Sequence, residues 1–127
     1  MPYLARLSKA PNPNEYTPNE IAFIDQHFQI NPQAVTLNGT TFTWEEVTGA
    51  EAAVAARANS PAGWFVRKLV YNGESRYHIA LYAGRAEAVL PNIQLKIAQY
   101  IMQTIAYYAP KKLEYMGPAD VAPISES

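Results

Sequence analysis

The chain reads as one α+β domain: an antiparallel bent sheet or partly open barrel closed by a long C-terminal helix, with a further helix near the N-terminus. Three observations lead there. Asn-Gly occurs twice, at 38–39 and 72–73, each time between runs with period-two alternation, the strongest short hairpin signal. Ile93, Ile97, Ile101 and Ile105 recur every four residues, the spacing of one helix face. The length of 127 residues with 49% hydrophobic and 17% charged residues suits a single domain able to bury a core.

The elements follow in chain order. Residues 1–17 end in PNPNEYTP and read as an extended arm and a turn. Thr17 is a candidate N-cap, Pro18 suits the first helical position, and Glu20 completes a capping box. A helix over 18–28 follows, with Ile21, Ile24 and Phe28 on one side and Asn31-Pro32 as its stop. In AVTLNGTTFTW a two-residue turn sets Leu37 opposite Thr40 and Val35 opposite Phe42. Trp44 shares that apolar face, while Thr36, Thr41 and Thr43 form a threonine ladder on the other. Residues 45–57 are open between strand and helix. A strand bent at Gly49 is preferred, with Ala50, Ala52, Val54 and Ala56 on one side.

Residues 63–71 and 75–82 form the second expected hairpin. A two-residue turn sets Trp64 opposite Leu81 and Val66 opposite Ile79, a core face. The other face has Leu69 opposite Arg76, Arg67 opposite His78 and Phe65 opposite Ala80. After a short strand over 85–90, Asn92 is the expected cap of a helix over 92–109, stopped by Pro110. Lys96, Gln99 and Gln103 form its polar side, and Tyr100, Tyr107 and Tyr108 flank it as candidates for a homo-oligomer contact. Residues 110–127 lack any period and read as a loosely attached tail, leaving 18–109 as the domain proper.

The stretch from VTLNGTTFTWEEVTGAEAAV through RYHIALYAGRAEAVLPNIQLKIAQYIMQTI, residues 34–109, resembles a bacterial pleckstrin-homology-like (PH-like) domain. The likeness rests on tight-turned strands, a "VLPN" turn and a final helix. It implies a bent sheet or barrel closed at one end by that helix, and a binding or scaffolding role rather than catalysis. The basic pattern by which such domains hold phosphoinositides on the first hairpin is replaced here by threonines, against lipid binding at the usual site.

Composition narrows the chemistry. A net charge of −1 gives no global field toward nucleic acid or acidic lipid, so peripheral membrane contact would need a local patch. No cysteine is present, which removes disulfides, thiolate metal sites and cysteine nucleophiles and suits a reducing, cytoplasmic setting. The N-terminus lacks a signal-peptide h-region, and no window reaches the length of a membrane span. His27 and His78 are far apart and carry no metal-ligand spacing, so neither metal nor cofactor is expected. Nucleophile-elbow and phosphate-loop motifs are missing. Glu45-Glu46 reads as a polar turn, since neighbours on a strand face opposite ways.

The candidate binding surface is therefore the mixed face of Phe65, Arg67, Leu69, Tyr71, Arg76 and His78. It is too apolar for a solvated face and too charged for a core. Three readings compete: cover by the chain's own N-terminal segment, a protein partner or self-association, and an anionic ligand such as a lipid headgroup. A small-ligand site or an enzyme inside the curved sheet is the rival class. Trp44, Trp64 and Phe42 make that interior look filled. The expected role is a non-catalytic binding or scaffold module.

Overall fold

Asn38 and Gly39 hold φ of 50° and 88° in the computed structural model of the chain, which describes residues 3–9, 11–54 and 76–125. Two successive positive values are what a type I′ turn requires. The elements in order are β1 (Tyr3–Leu4), α1 (Pro18–His27), β2 (Phe28–Ile30), β3 (Ala34–Leu37), β4 (Thr40–Thr43), β5 (Gly49–Val54), β6 (Arg76–Ala83), β7 (Ala86–Gln94), α2 (Leu95–Tyr108), β8 (Glu114–Met116) and β9 (Ile124–Ser125). They build an α+β fold of two sheets. One has three strands in the order β2-β3-β4, and the other six in the order β7-β6-β5-β8-β1-β9. Neither is closed into a barrel among the described residues.

In the small sheet the expected register is present: Val35 lies opposite Phe42 and Leu37 opposite Thr40. Val35, Leu37, Phe42 and Trp44 are buried, and the Thr36 and Thr41 hydroxyls meet at 2.7 Å on the outer face. Trp44 Nε1 donates to the Asn31 carbonyl, so its polar edge is satisfied inside the core. The Glu45-Glu46 segment is a turn, with Glu46 Oε1 accepting from the Thr43 amide and hydroxyl.

The capping box of α1 is complete. Thr17 Oγ1 accepts from the Glu20 amide at 3.2 Å, and Glu20 Oε1 accepts from the Thr17 amide at 2.8 Å. The helix ends earlier than Asn31-Pro32 would end it. Phe28 is already extended, at φ −147°, because it pairs with Leu37 as the first residue of β2. Asn31 instead makes the β2–β3 turn, its Oδ1 accepting from the Gln33 and Ala34 amides.

Residues 49–54 form a strand that starts at Gly49, with Ala50 and Ala52 buried beneath it. Val54, expected on that buried side, stands at the rim and is 46% exposed. Tyr77, Ile79 and Leu81 are core, as the alternation implied. From Tyr77 to Tyr82 one edge of β6 is taken by β5 and the other by β7, and Ala53 lies opposite His78. The expected register with Arg67 opposite His78 involves residues outside the described ones. The strand expected over 63–71 and its turn at Asn72-Gly73 lie outside the described residues, as do Trp64 and Ala56.

The strand β7 runs past the expected end at 90. Between the pairs Ile79–Leu90 and Tyr77–Ile93 a single residue, His78, opposes two, Pro91 and Asn92. This is a β-bulge, and proline is tolerated there because it has no amide to pair. Asn92 takes the left-handed conformation, φ 62°, inside the strand. It therefore does not cap the helix. The N-cap of α2 is Gln94, without a side-chain bond. Ile97, Ile101, Met102 and Ile105 of α2 are buried in one core with Ile79, Leu81, Leu90 and Leu113.

The polar side of α2 is half-covered rather than solvated. Lys96 pairs with Glu20 at 3.1 Å and sits over the Tyr16 ring, and Gln99 Nε2 donates to the Asp120 carbonyl at 2.7 Å. Tyr100 packs edge-on against Tyr16 and Tyr107 against Tyr108, so these rims meet rings of their own chain.

Where the sequence reads as an arm at 1–17 and a loosely attached tail at 110–127, residues 3–4, 114–116 and 124–125 are strands of the large sheet. β8 lies between β5, to which it is parallel, and β1, and β9 pairs with β1. Leu4, Leu113, Tyr115, Val121 and Ala122 are buried. The strands involved are two or three residues long, too short to show a period, and their stability comes from nonlocal pairing and burial.

Candidate functional site

A central strand of the large sheet turns Tyr77, Ile79 and Leu81 toward α2, so period two turns Arg76, His78, Ala80 and Tyr82 the other way. The register aligns them with residues of three other strands. Tyr82 lies opposite Gly49 on one side and Glu87 on the other, and Ala80 lies opposite Glu51 and Val89. Glu114 and Met116 of β8 continue the face beyond Gly49 and Glu51. Helix α1 does not cover it: α1 packs against β2 and α2, on the helical side of the sheet.

Of the candidate residues, Phe65, Arg67, Leu69 and Tyr71 lie outside the described residues. Arg76 and His78 are both on this face and both half-buried. His78 has a definite structural task. Its Nδ1 accepts the Asn92 amide at 3.1 Å, satisfying a backbone donor that the bulge removes from the ladder. His27, the other histidine, is the last residue of α1, with Nδ1 3.3 Å from Asn38 Oδ1 of the β3–β4 turn. Among the described residues no group of acidic or histidine side chains could hold a metal ion, and no helix is long and apolar enough to cross a membrane.

Residues not anticipated from the sequence dominate the visible part of the face. The Tyr82 hydroxyl donates to Glu51 Oε1. Losing its proton would cost that bond, and burial and the charges of Glu51 and Glu87 add to the effect, so its pKa is pushed up to about 12. The phenol is therefore a donor at neutral pH. Thr48 braces the strand behind it, its amide and hydroxyl both donating to the Tyr82 carbonyl. A shallow hollow of about 300 Å³ lies beside the pair, lined by Thr48, Gly49, Tyr82, Glu114 and Met116. Met116, 58% exposed, and Val89, 37% exposed, supply apolar surface flanked by Glu87 and Glu114. Glu51 was legible from its alternation with Ala50 and Ala52. Met116 carried no signal, because its strand has only three residues.

The arrangement places a flexible thioether, a fixed phenol–carboxylate pair and scattered carboxylates on a sheet surface. No family model, curated protein or solved structure matches the chain.

Proposed function

We propose that the protein is a non-catalytic binding module that uses the outer face of β5, β6, β7 and β8 to hold a protein partner. The observation that carries this reading is the placement of Val89 and Met116 in solvent, on the side of the sheet away from both helices. Val89 and Met116 stand at the two sides of this face with Ala80 and Glu51 between them, so exposed apolar groups flank the central Tyr82–Glu51 pair, a mixture of aromatic, methionine and polar groups found in contact surfaces. The Tyr82–Glu51 bond fixes the tyrosine, so less side-chain freedom is lost on binding. The resemblance of residues 34–109 to a PH-like domain, read from its tight-turned strands and long helix, would imply such a role, and the candidate residues 65–71 belong to the same proposal. The test compares wild type with Val89→Glu/Met116→Glu by cross-linking in cells of the source and by solution mass. Both positions are exposed, and the circular dichroism spectrum of the variant checks that it is folded. Loss of a specific adduct or of self-association is expected. An unchanged adduct pattern and an unchanged mass in the folded variant would assign the contact elsewhere.

A further inference from the structure

A second surface of different chemistry lies at the C-terminal end of α2, next to β1. Where α2 ends, Ala106 and Ala109 face Leu4 of β1 across a groove of about 450 Å³, and the rim is formed by Arg6, Lys111 and Lys112. The chain as a whole is at net charge −1, so this is a local concentration of positive charge. Neither Arg6 nor Lys111 has a carboxylate within 4 Å among the described residues.

A simpler account is available for part of it. Lysines after a helix C-terminus offset the negative end of the helix dipole. Lys111 Nζ donates to the Glu45 carbonyl and Lys112 Nζ lies 5.4 Å from the centre of the Tyr3 ring. The dipole is worth about half an elementary charge, against the full charges of Arg6 and Lys111. It also says nothing of Arg6, which follows β1 at the other end of the chain. Folding brings residues 6 and 111–112 to one groove, and the apolar floor lowers the local dielectric beneath them.

We infer that this groove binds a phosphate-bearing anion, with Arg6 and Lys111 as its principal ligands. An arginine fork can take two phosphate oxygens, and a lysine on the facing wall supplies a point charge. The buried alanines and Leu4 make a floor suited to the apolar part of a small phosphate ester. This site is separate from the sheet face proposed above and stands or falls independently of it.

The test titrates the full chain with pyrophosphate at low ionic strength and follows backbone amide shifts. Saturable shifts confined to residues 3–6 and 109–112 are expected. Arg6→Gln/Lys111→Gln should weaken binding about tenfold or more, the scale of a charge-assisted hydrogen bond. Both side chains are exposed, and the amide spectrum of the variant itself reports that it is folded. A parallel arm measures co-sedimentation with phosphatidic acid vesicles against phosphatidylcholine alone. Pyrophosphate binding without vesicle binding assigns a soluble anion. Vesicle binding lost in the same variant assigns a lipid headgroup. Absence of both, binding unchanged in the variant, or shifts spread over other surface lysines such as Lys9 and Lys96 would overturn the inference.

Discussion

Alanine at Gly117 tests whether the C-terminal segment is part of the fold. Gly117 follows β8 and has φ 142°, a conformation that side chains rarely adopt. A β-carbon there would lie 2.3 Å from the Ala52 carbonyl oxygen and 2.9 Å from the Tyr115 hydroxyl. Carbon and oxygen normally approach to about 3.3 Å, so the overlap with Ala52 is about 1 Å. The obstacle is backbone in the middle of β5 and cannot swing aside. Relief requires β8 to move off β5, loosening the pairs Ala50–Tyr115 and Glu51–Met116. Backbone strain costs about 1–3 kcal/mol and overpacking about as much again. A loss of about 2–6 kcal/mol is a large part of the roughly 5–15 kcal/mol that such a domain has. Urea unfolding followed by tryptophan fluorescence should show a lower midpoint with little change in slope. Gly84→Ala is the control: its φ is 61°, but nothing lies within 4 Å of the added carbon, so only the backbone cost of about 1 kcal/mol applies. If the two variants agree to within about 1 kcal/mol, Gly117 is not packed against β5 and the sheet does not include β8 as described.

The N-terminal helix and the Tyr82–Glu51 pair give two more expectations. Thr17→Ala should cost about 1 kcal/mol through loss of the cap. The Glu20 carboxyl is held below its ordinary range first by the Thr17 amide and then by Lys96, so it stabilises the fold above the unfolded-state value and that stability is lost as pH falls through the folded one. Acid unfolding should therefore be less pH-dependent in Glu20→Gln than in wild type, and identical profiles would refute the cap. At the alkaline end, Tyr82 and Tyr115 are both pushed up to about 12. Their contribution is complete below the ordinary value of 10.0 and is lost as pH rises through about 12. Phenolate absorbance should show late-titrating tyrosines, and Tyr82→Phe should remove one; a variant that retains the same late component would separate Tyr82 from Glu51.

Local signals in the sequence suffice at the first hairpin turn, at the start of α1 and along the buried side of α2. The positive φ of Asn38-Gly39 fixes the hairpin register by itself, because no longer-range choice competes with a two-residue turn. Thr17, Pro18 and Glu20 start α1 through bonds within one helical turn. The four-residue isoleucine spacing, closed by Pro110, identifies the buried side of α2. Reading 49–54 as a strand worked for the same reason, since alternation with small residues is a property of the segment alone.

The sequence by itself determined which residues face inward on β3, β4, β6 and α2, because side-chain period is written into the chain. Only the tertiary structure decided which strands are neighbours. β6 could have paired with any strand of matching alternation, and the core under α2 selected β5 and β7. β1, β8 and β9 have no period to read, and exist because Leu4, Leu113 and Tyr115 are buried when the two ends of the chain meet. Both candidate surfaces come from nonlocal pairing: Met116 reaches the face of Tyr82 through β5 and β8, and Arg6 reaches Lys111 through β1 and β8. Such contacts follow from where the backbone can be hydrogen-bonded and the apolar area covered at once, a condition on the assembled molecule rather than on any stretch of it.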